Sequence, residues 1–333
     1  MARVFILGAG ASKAVIPKAP LNDQLLPSVL RLRPEKRINL VKQFLQDFFE
    51  LDANADLDTS RRLPPLEDIL SQLDSCLVDN RPLSSSYPLS ALIELREALV
   101  YGICRVLQQS LRSGELRLMT KLISNLAPDD AIISLNYDLI VDNSLLHKSK
   151  TADYGFPIRH VRNPHVLYDN RQDVYVKLYK LHGSLNWLYC PACRAVDLTP
   201  GVKGAVYIFL DKELTHCPAC HVRYDPMIIT PTFLKNYNNH YIGRVWVAAE
   251  ETLQQADEIV FIGYSLPDAD IILRTMLARS VYRNRVLKGH TPRITVVDYN
   301  VEPQNPTRGR YERLFGNVNY INEGFRHYLQ NTL

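Results

Sequence analysis

Three short polar signatures gather residue types that could share one chemistry: Gly8-Ala9-Gly10-Ala11-Ser12, Ser134-Leu135-Asn136-Tyr137-Asp138 and Lys180-Leu181-His182-Gly183-Ser184. Each follows a β-like apolar run: Arg3 to Leu7, Ala131 to Ile133 and Val174 to Tyr179. All three therefore belong at the carboxyl ends of strands, where open α/β sheets bind ligands. Glycines let a backbone turn tightly against a pyrophosphate, and a helix start beyond them offers N–H groups to negative charge. A histidine with an ordinary pKa near 6.5 can accept a proton at neutral pH. An asparagine amide can both donate to and accept from a water or a sugar hydroxyl. Alone, Gly-Ala-Gly reads equally as a simple tight turn: it lacks the full dinucleotide fingerprint, and no clear second strand ends in an acid about 20 residues later.

Two later apolar runs carry similar ends. Gly263-Tyr264-Ser265 follows Glu258 to Ile262, and Asp298-Tyr299-Asn300 follows Arg293 to Val297. Either could be ordinary capping or turn chemistry. Cys190-Pro191-Ala192-Cys193 and Cys217-Pro218-Ala219-Cys220 form two Cys-x-x-Cys knuckles, which supply four thiolates for a closed, structural zinc site. Two disulfides are the alternative, disfavoured in a cytoplasmic chain. His216 and His221 flank the second knuckle as solvated neighbours or substitute ligands, while Cys76 and Cys104 read as buried small hydrophobes.

The elements that must position these groups follow from apolar spacing. Between the first two strands the periodicity is helical: Glu35 to Leu51, Leu66 to Leu77, Leu89 to Arg112 and Leu116 to Leu126, with a polar stretch from Asp52 to Arg62. Helices over Arg244 to Gln255 and Ala269 to Tyr282 alternate with the two late strands, which predicts a mostly parallel sheet. The expected fold is α/β, a mostly parallel sheet over 1–188 and 225–333 with a helical insertion at about 21–126 and a small zinc-binding module at 189–224. The segment from Thr151 to Gln172 reads as loop-rich.

With 333 residues and 46% hydrophobic composition the chain can bury a large core, and a formal charge of +4 is too small to indicate nucleic-acid binding by itself. Direct nucleic-acid contact stays open. The late basic residues Arg274, Arg279, Arg283, Arg285, Lys288 and Arg293, then Arg308, Arg310 and Arg313, read as solvated helix faces, with phosphate contact as the minority reading. The apolar runs fall short of a membrane span and of a secretory core, so no membrane partner and a cytoplasmic location are expected.

Taken in order, the motifs Gly-Ala-Gly-x-Ser, Asn-x-Asp, His-Gly, paired Cys-x-x-Cys, Gly-x-Ser and Asp-x-Asn resemble the sirtuin superfamily. That resemblance implies a Rossmann-like domain with a small zinc module, NAD lying in the cleft between them. It places Gly8, Ala9, Gly10 and Ser12 at the phosphates, with Ala11 beside them, Asn136 and Asp138 at the nicotinamide and its ribose, and His182 as catalytic base next to Gly183. Gly263, Tyr264 and Ser265, with Asp298 and Asn300, would take the adenosine half. Two departures stand out. Lys18-Ala19-Pro20 replaces the usual Asp-Phe-Arg after Ile16-Pro17, and Pro226 to Thr232 lacks the Phe-Gly-Glu triplet that helps clamp an acyl-lysine peptide. The helical insertion, with Ser134 to Asp138 and Phe261 to Leu266, is more similar to bacterial Sir2-like proteins of antiphage defence, whose activity is NAD hydrolysis. Some of those act beside a HerA-type ATPase or an Argonaute-like partner.

Three functions of different class follow as expectations: an NAD hydrolase that releases nicotinamide and ADP-ribose, an NAD-dependent protein deacylase or ADP-ribosyltransferase, and a non-catalytic nucleotide-sensing subunit. The helical insertion is expected either to contact another copy of the chain or a different subunit, making a homo-oligomer or mixed assembly, or to cover one sheet face.

Overall fold

The computed structural model describes residues 1–51, 63–111, 116–156, 160–161, 175–198, 215–233, 239–300 and 305–332. The polar stretch from Asp52 to Arg62, most of the loop-rich segment before Gln172 and the middle of the zinc module lie outside the described residues.

The short apolar runs Val4 to Leu7, Ala131 to Ile133, Ile259 to Ile262 and Ile294 to Val297 make strands buried on both faces. Strands β1 (Arg3–Leu7), β2 (Ala131–Ser134), β3 (Thr151–Asp153), β5 (Tyr175–Lys180), β9 (Glu258–Ile262), β10 (Arg293–Val297) and β11 (Asn319–Ile321) form one sheet in the order β11-β10-β9-β1-β2-β5-β3. Every pairing in it is parallel. Leu7 stands in register with Ser134 on one side and Ile262 on the other, so the chain leaves all three strands at one level. From β1 the chain builds first toward β2, β5 and β3, then crosses to β9, β10 and β11. That reversal makes β1 the topological switch point, the place where such sheets open a crevice.

Between β1 and β2 run α1 (Ala9–Val15), α2 (Asn22–Leu30), α3 (Lys36–Phe49), α4 (Leu66–Val78), α5 (Leu89–Leu111) and α6 (Arg117–Ser124). Helix α1 stops where Ile16 precedes Pro17, since a residue before proline is pushed out of the helical region. Helices α2 to α5 enclose a core of their own around Val29, Ile38, Phe44, Leu70, Leu95 and Leu99, separate from the core that sandwiches the sheet.

Several elements differ from the sequence reading. A second sheet, in the order β4-β7-β6-β8, is built from β4 (His160–Val161), β7 (Val196–Leu198), β6 (Gly183–Tyr189) and β8 (Asp225–Ile228). Its strands are short or broken by a bulge, so no run of alternation announced them. Helix α7 (Ile140–His147) follows Asp138. Helix α8 (His240–Gln254) starts earlier than Arg244 because the Asn239 side chain caps it, accepting from the Tyr241 N–H at 2.9 Å. Helix α9 (Ile271–Lys288) runs past Tyr282 to a left-handed Gly289, a helix stop that the fading apolar period concealed. Helices α10 (Pro306–Phe315) and α11 (Gly324–Asn331) close the chain. Cys104 is buried as expected, whereas Cys76 is half-buried.

Candidate active site

The first loop and the loop after β9 interlock backbone on backbone. Gly8 N–H donates to the Ile262 carbonyl at 3.0 Å and Gly10 N–H to the Gly263 carbonyl at 2.8 Å. A Cβ on Gly8 would lie 2.5 Å from Gly263 O, and one on Gly263, whose φ is +60°, would lie 2.2 Å from Ala11 N. Neither position admits a side chain. This packing changes the expected phosphate cradle: Gly10 N–H is spent on Gly263, and Ala11 N–H bonds Gly8 O at 3.0 Å.

The second signature links to the first through a chain of hydrogen bonds. Asn136 Nδ2 donates to Gly8 O at 2.8 Å and to Ser12 Oγ at 2.9 Å, and the serine hydroxyl donates onward to Asp138 Oδ2 at 2.5 Å. Because Gly8 O can only accept, the amide orientation is fixed, and Oδ1 is the atom Asn136 can offer to a water or ribose hydroxyl. Ser12, on the cavity wall, thus gives its hydroxyl proton to Asp138. Burial pushes the Asp138 carboxyl above its ordinary range, opposed by the Lys180 ammonium, the Ser12 hydroxyl and the Ile140 N–H.

His182 follows β5, and its Nδ1 lies 3.1 Å from the Leu135 carbonyl. A carbonyl oxygen requires a donor, so Nδ1 carries the proton and Nε2 is the basic nitrogen of the neutral ring. The loop is held on both sides: Leu181 N–H donates to Ser134 O at 3.1 Å, and Ile229 N–H to His182 O at 2.7 Å.

Beneath these loops is a buried polar network that sequence reasoning did not assign. Lys180, 1% exposed, donates to Asp142 Oδ2 at 3.0 Å, Ser184 Oγ at 2.5 Å and the Asp138 carbonyl at 2.6 Å. Asp142 also accepts from the Tyr154 hydroxyl at 2.5 Å, and Ser184 donates to Asn186 Oδ1 at 2.6 Å. A lysine flanked by Tyr179 and Leu181, and an aspartate following Ile140-Val141, are charges inside apolar runs. Buried charges need partners, and that mismatch was the available signal.

These loops open into a cavity of about 950 Å³. Its wall includes Gly8, Ala9, Gly10, Ser12, Asn136, Asp138, His182, Gly263, Tyr264, Ser265 and Asp298, so all five strand-end signatures reach it, the third through His182 alone. Ala11, Gly183 and Asn300 do not line it. Ala11 is buried behind the loop. Gly183, at φ +81°, lies where a Cβ would come within 2.0 Å of Met227 O, so it permits β6 to pair closely with β8 opposite Ile228. The carboxylate of Asp298 accepts from the Tyr320 hydroxyl at 2.8 Å. The helical insertion adds Asn22, Asp23, Glu67, Leu107 and Ser110 to the wall, and the turn into α11 adds Glu323 to Arg326. Of the late basic residues, Arg274, Arg279, Arg283, Lys288, Arg293 and Arg308 are each engaged with a carboxylate, and Arg310 donates to Ser265 O at 2.8 Å.

Cys190, Cys193, Cys217 and Cys220 converge with their sulfurs all within 4.8 Å of one another. The pairs at 3.3 and 3.6 Å are too far apart for disulfides and near the separation of about 3.8 Å set by a tetrahedron of Zn–S bonds of about 2.3 Å. The group could hold zinc. Cys190, Cys217 and Tyr224 pack with Leu185, Leu188 and Leu139 against Val100 and Cys104 of α5, so this module rests on the insertion.

No protein-family model matches the chain, and no curated protein does. Among solved structures it is similar to a Sir2 with a p53 peptide and NAD+, at 13% identity and a TM-score of 0.43 over 98% of this chain and 90% of that one. A structure on the mechanism and regulation of Sir2 enzymes aligns at 13% identity and a TM-score of 0.42, over 98% and 89%. Sir2Tm bound to a propionylated peptide aligns at 13% and 0.37, over 99% and 90%.

Proposed function

We propose that this chain hydrolyses the bond between nicotinamide and ribose in NAD, giving nicotinamide, ADP-ribose and a proton. The observation that carries the reading is the pairing, on one cavity wall, of a histidine whose Nδ1 proton is committed to Leu135 O with the Asn136–Ser12–Asp138 chain. Nicotinamide departs as a neutral molecule from a cationic precursor, so no general acid is needed. What the reaction needs is stabilisation of positive charge at the ribose carbon and delivery of water to it. His182 Nε2 takes a proton from a ribose hydroxyl or, through it, from the attacking water, and Asn136 Oδ1 accepts a hydrogen bond from that water. Asp138, on the same cavity wall, orients the ribose or the nicotinamide amide. The four cysteines would hold a structural zinc that keeps the small module folded.

Within this reading the activity depletes NAD as the effector of an antiphage defence system, and the helical insertion meets a second copy of the chain, a HerA-type ATPase or an Argonaute-like protein. Nicotinamide release from NAD, measured with and without an acylated peptide, tests the activity. The expected result is release without peptide, lost in His182→Ala. Strict dependence on the peptide would instead favour a deacylase or ADP-ribosyltransferase, and binding without turnover a sensing subunit.

A further inference from the structure

The helical insertion grips one segment of the site. After β8 the chain runs through Ile229, Thr230, Pro231, Thr232 and Phe233, and Thr230 and Thr232 are buried at 4% and 3% exposure. Arg96, on α5, donates from Nε to Asp74 Oδ1 on α4 at 2.6 Å and from Nη2 to Thr230 Oγ1 at 3.1 Å. Ser71, one turn before Asp74 on α4, accepts from the Phe233 N–H at 2.8 Å, and its Oγ lies 3.2 Å from Thr232 Oγ1. Two helices of the insertion thus hold three polar groups, on Thr230, Thr232 and Phe233, of a segment that belongs to neither.

That segment in turn holds the histidine. Ile229 N–H donates to His182 O at 2.7 Å, and Ile229 O accepts from the Tyr137 hydroxyl at 2.6 Å. Tyr137 separates Asn136 from Asp138, and its ring centroid lies 6.3 Å from that of His182. Pro231 itself lines the cavity. A shift of the 229–233 segment therefore moves the base and the loop that carries its two polar companions, although neither Arg96 nor Ser71 lines the cavity.

We propose that Arg96 and Ser71 are positioning residues: through Thr230, Thr232 and Phe233 the insertion holds Ile229 so that the His182 and Tyr137 loops stay in register across the cavity. The inference rests on the hydrolase reading for its kinetic consequence. Arginine suits the task because its planar fork reaches two acceptors at once, whereas lysine would keep the ion pair with Asp74 and lose Thr230. A misplacement of about 1 Å caused by a distant change can cost about 100-fold in rate when the reacting groups must be aligned.

The test combines Thr230→Val with Ser71→Ala in the full chain, with Arg96→Lys as a second variant that preserves the ion pair. Nicotinamide release and amide hydrogen exchange of the peptides containing Ile229 and Phe233 are read in parallel. The expected result is a fall in kcat of about 10- to 100-fold with KM for NAD changed less than about threefold, faster exchange at Ile229 and Phe233, and unchanged exchange in β1 and β9. Restoring the hydroxyl with Ser71→Thr should recover part of kcat. Unchanged kcat, or a loss carried wholly by KM, overturns the proposal. If the unmodified chain releases no nicotinamide, the hydrolase reading fails, and exchange alone decides the latch: acceleration at Ile229 and Phe233 upholds it and unchanged exchange refutes it. Should the double variant fail to fold, Arg96→Lys is judged by the same criteria.

Discussion

Lys180→Met is the most demanding perturbation of the site's foundation. The ammonium has three protons and three partners at hydrogen-bond distance, Asp142 Oδ2, Ser184 Oγ and Asp138 O, and its side chain is 1% exposed. Methionine fills much the same volume and removes every donor. Asp142, 6% exposed, keeps the Tyr154 hydroxyl at 2.5 Å but loses its counter-charge. Breaking one side of a buried pair costs about 3–5 kcal/mol, and the surviving tyrosine bond argues for the lower end, about 3 kcal/mol. Against a total stability of about 5–15 kcal/mol, that is a large fraction. Urea unfolding of Lys180→Met, Asp142→Leu and the double variant forms the cycle that isolates the pair. The double variant should recover at least half of the loss, because two apolar groups leave no stranded charge. It should nonetheless release little nicotinamide, since the Asp138 carbonyl has lost its anchor. Single variants costing less than about 1 kcal/mol each, or a double variant whose cost is their sum, would refute the reasoning.

Four further outcomes are expected. His182→Ala and Asn136→Ala should each lower nicotinamide release about 100- to 10,000-fold while the chain still folds cooperatively, with stability lowered by no more than the roughly 1–3 kcal/mol of a lost buried hydrogen bond, which single-turnover assays and urea titration check together. The Asp138 carboxyl, raised by burial, keeps its proton in the folded chain at pH values where the unfolded chain has lost it, so its contribution to stability falls as pH rises from about 4 through its folded pKa. Asp138→Asn should therefore lose activity yet gain stability relative to the unmodified chain as pH rises, read from urea midpoints across that window. Metal analysis should find one zinc per chain, and Cys193→Ser should lose it and speed amide exchange in α5 near Val100 and Cys104, which share an apolar cluster with Cys190 and Cys217. In His182→Ala, calorimetry should show NAD binding more tightly than ADP-ribose, because the cavity wall carries Asp23, Glu67, Asp138, Asp270, Asp298 and Glu323 against Lys13 and Arg326.

Five of the seven strands of the large sheet were legible because their apolar runs advertise themselves, whereas β3 lies in the stretch read as loop-rich and β11 is too short to announce itself. Ala131 to Ser134, Glu258 to Ile262 and Arg293 to Val297 are short apolar runs bounded by polar ends, and each forms the strand expected of it. The strand-end residues were legible for the same reason: a parallel sheet brings its carboxyl ends to one edge, so Gly8, Asn136 and His182 had to be neighbours once their strands were parallel. What stayed hidden was how those residues spend their hydrogen bonds. Nothing local to these loops says that the Gly10 N–H belongs to Gly263 or that the Ser12 hydroxyl donates to Asp138. The second sheet was hidden because β6 holds Gly183, Asn186 and Trp187 in one run whose alternation is broken by the bulge toward β8.

The polar interior explains why so many expensive groups are tolerated in one place. A buried lysine, two buried aspartates and a glycine loop without room for a side chain each cost stability or sequence freedom, and an apolar core would fold without them. Their common effect is to fix atoms at the cavity wall before any ligand arrives. Lys180 holds the Asp138 carbonyl, Ser12 holds its carboxylate, Asn136 holds Ser12 and Gly8, and Leu135 holds the His182 proton. In the proposed hydrolysis, charge developing at a bound sugar would meet dipoles that need no reorientation, which is where electrostatic catalysis gains most over water. The insertion completes the same logic from outside, since its hold on Thr230 and Phe233 fixes the one side of the histidine loop that the parallel sheet does not reach.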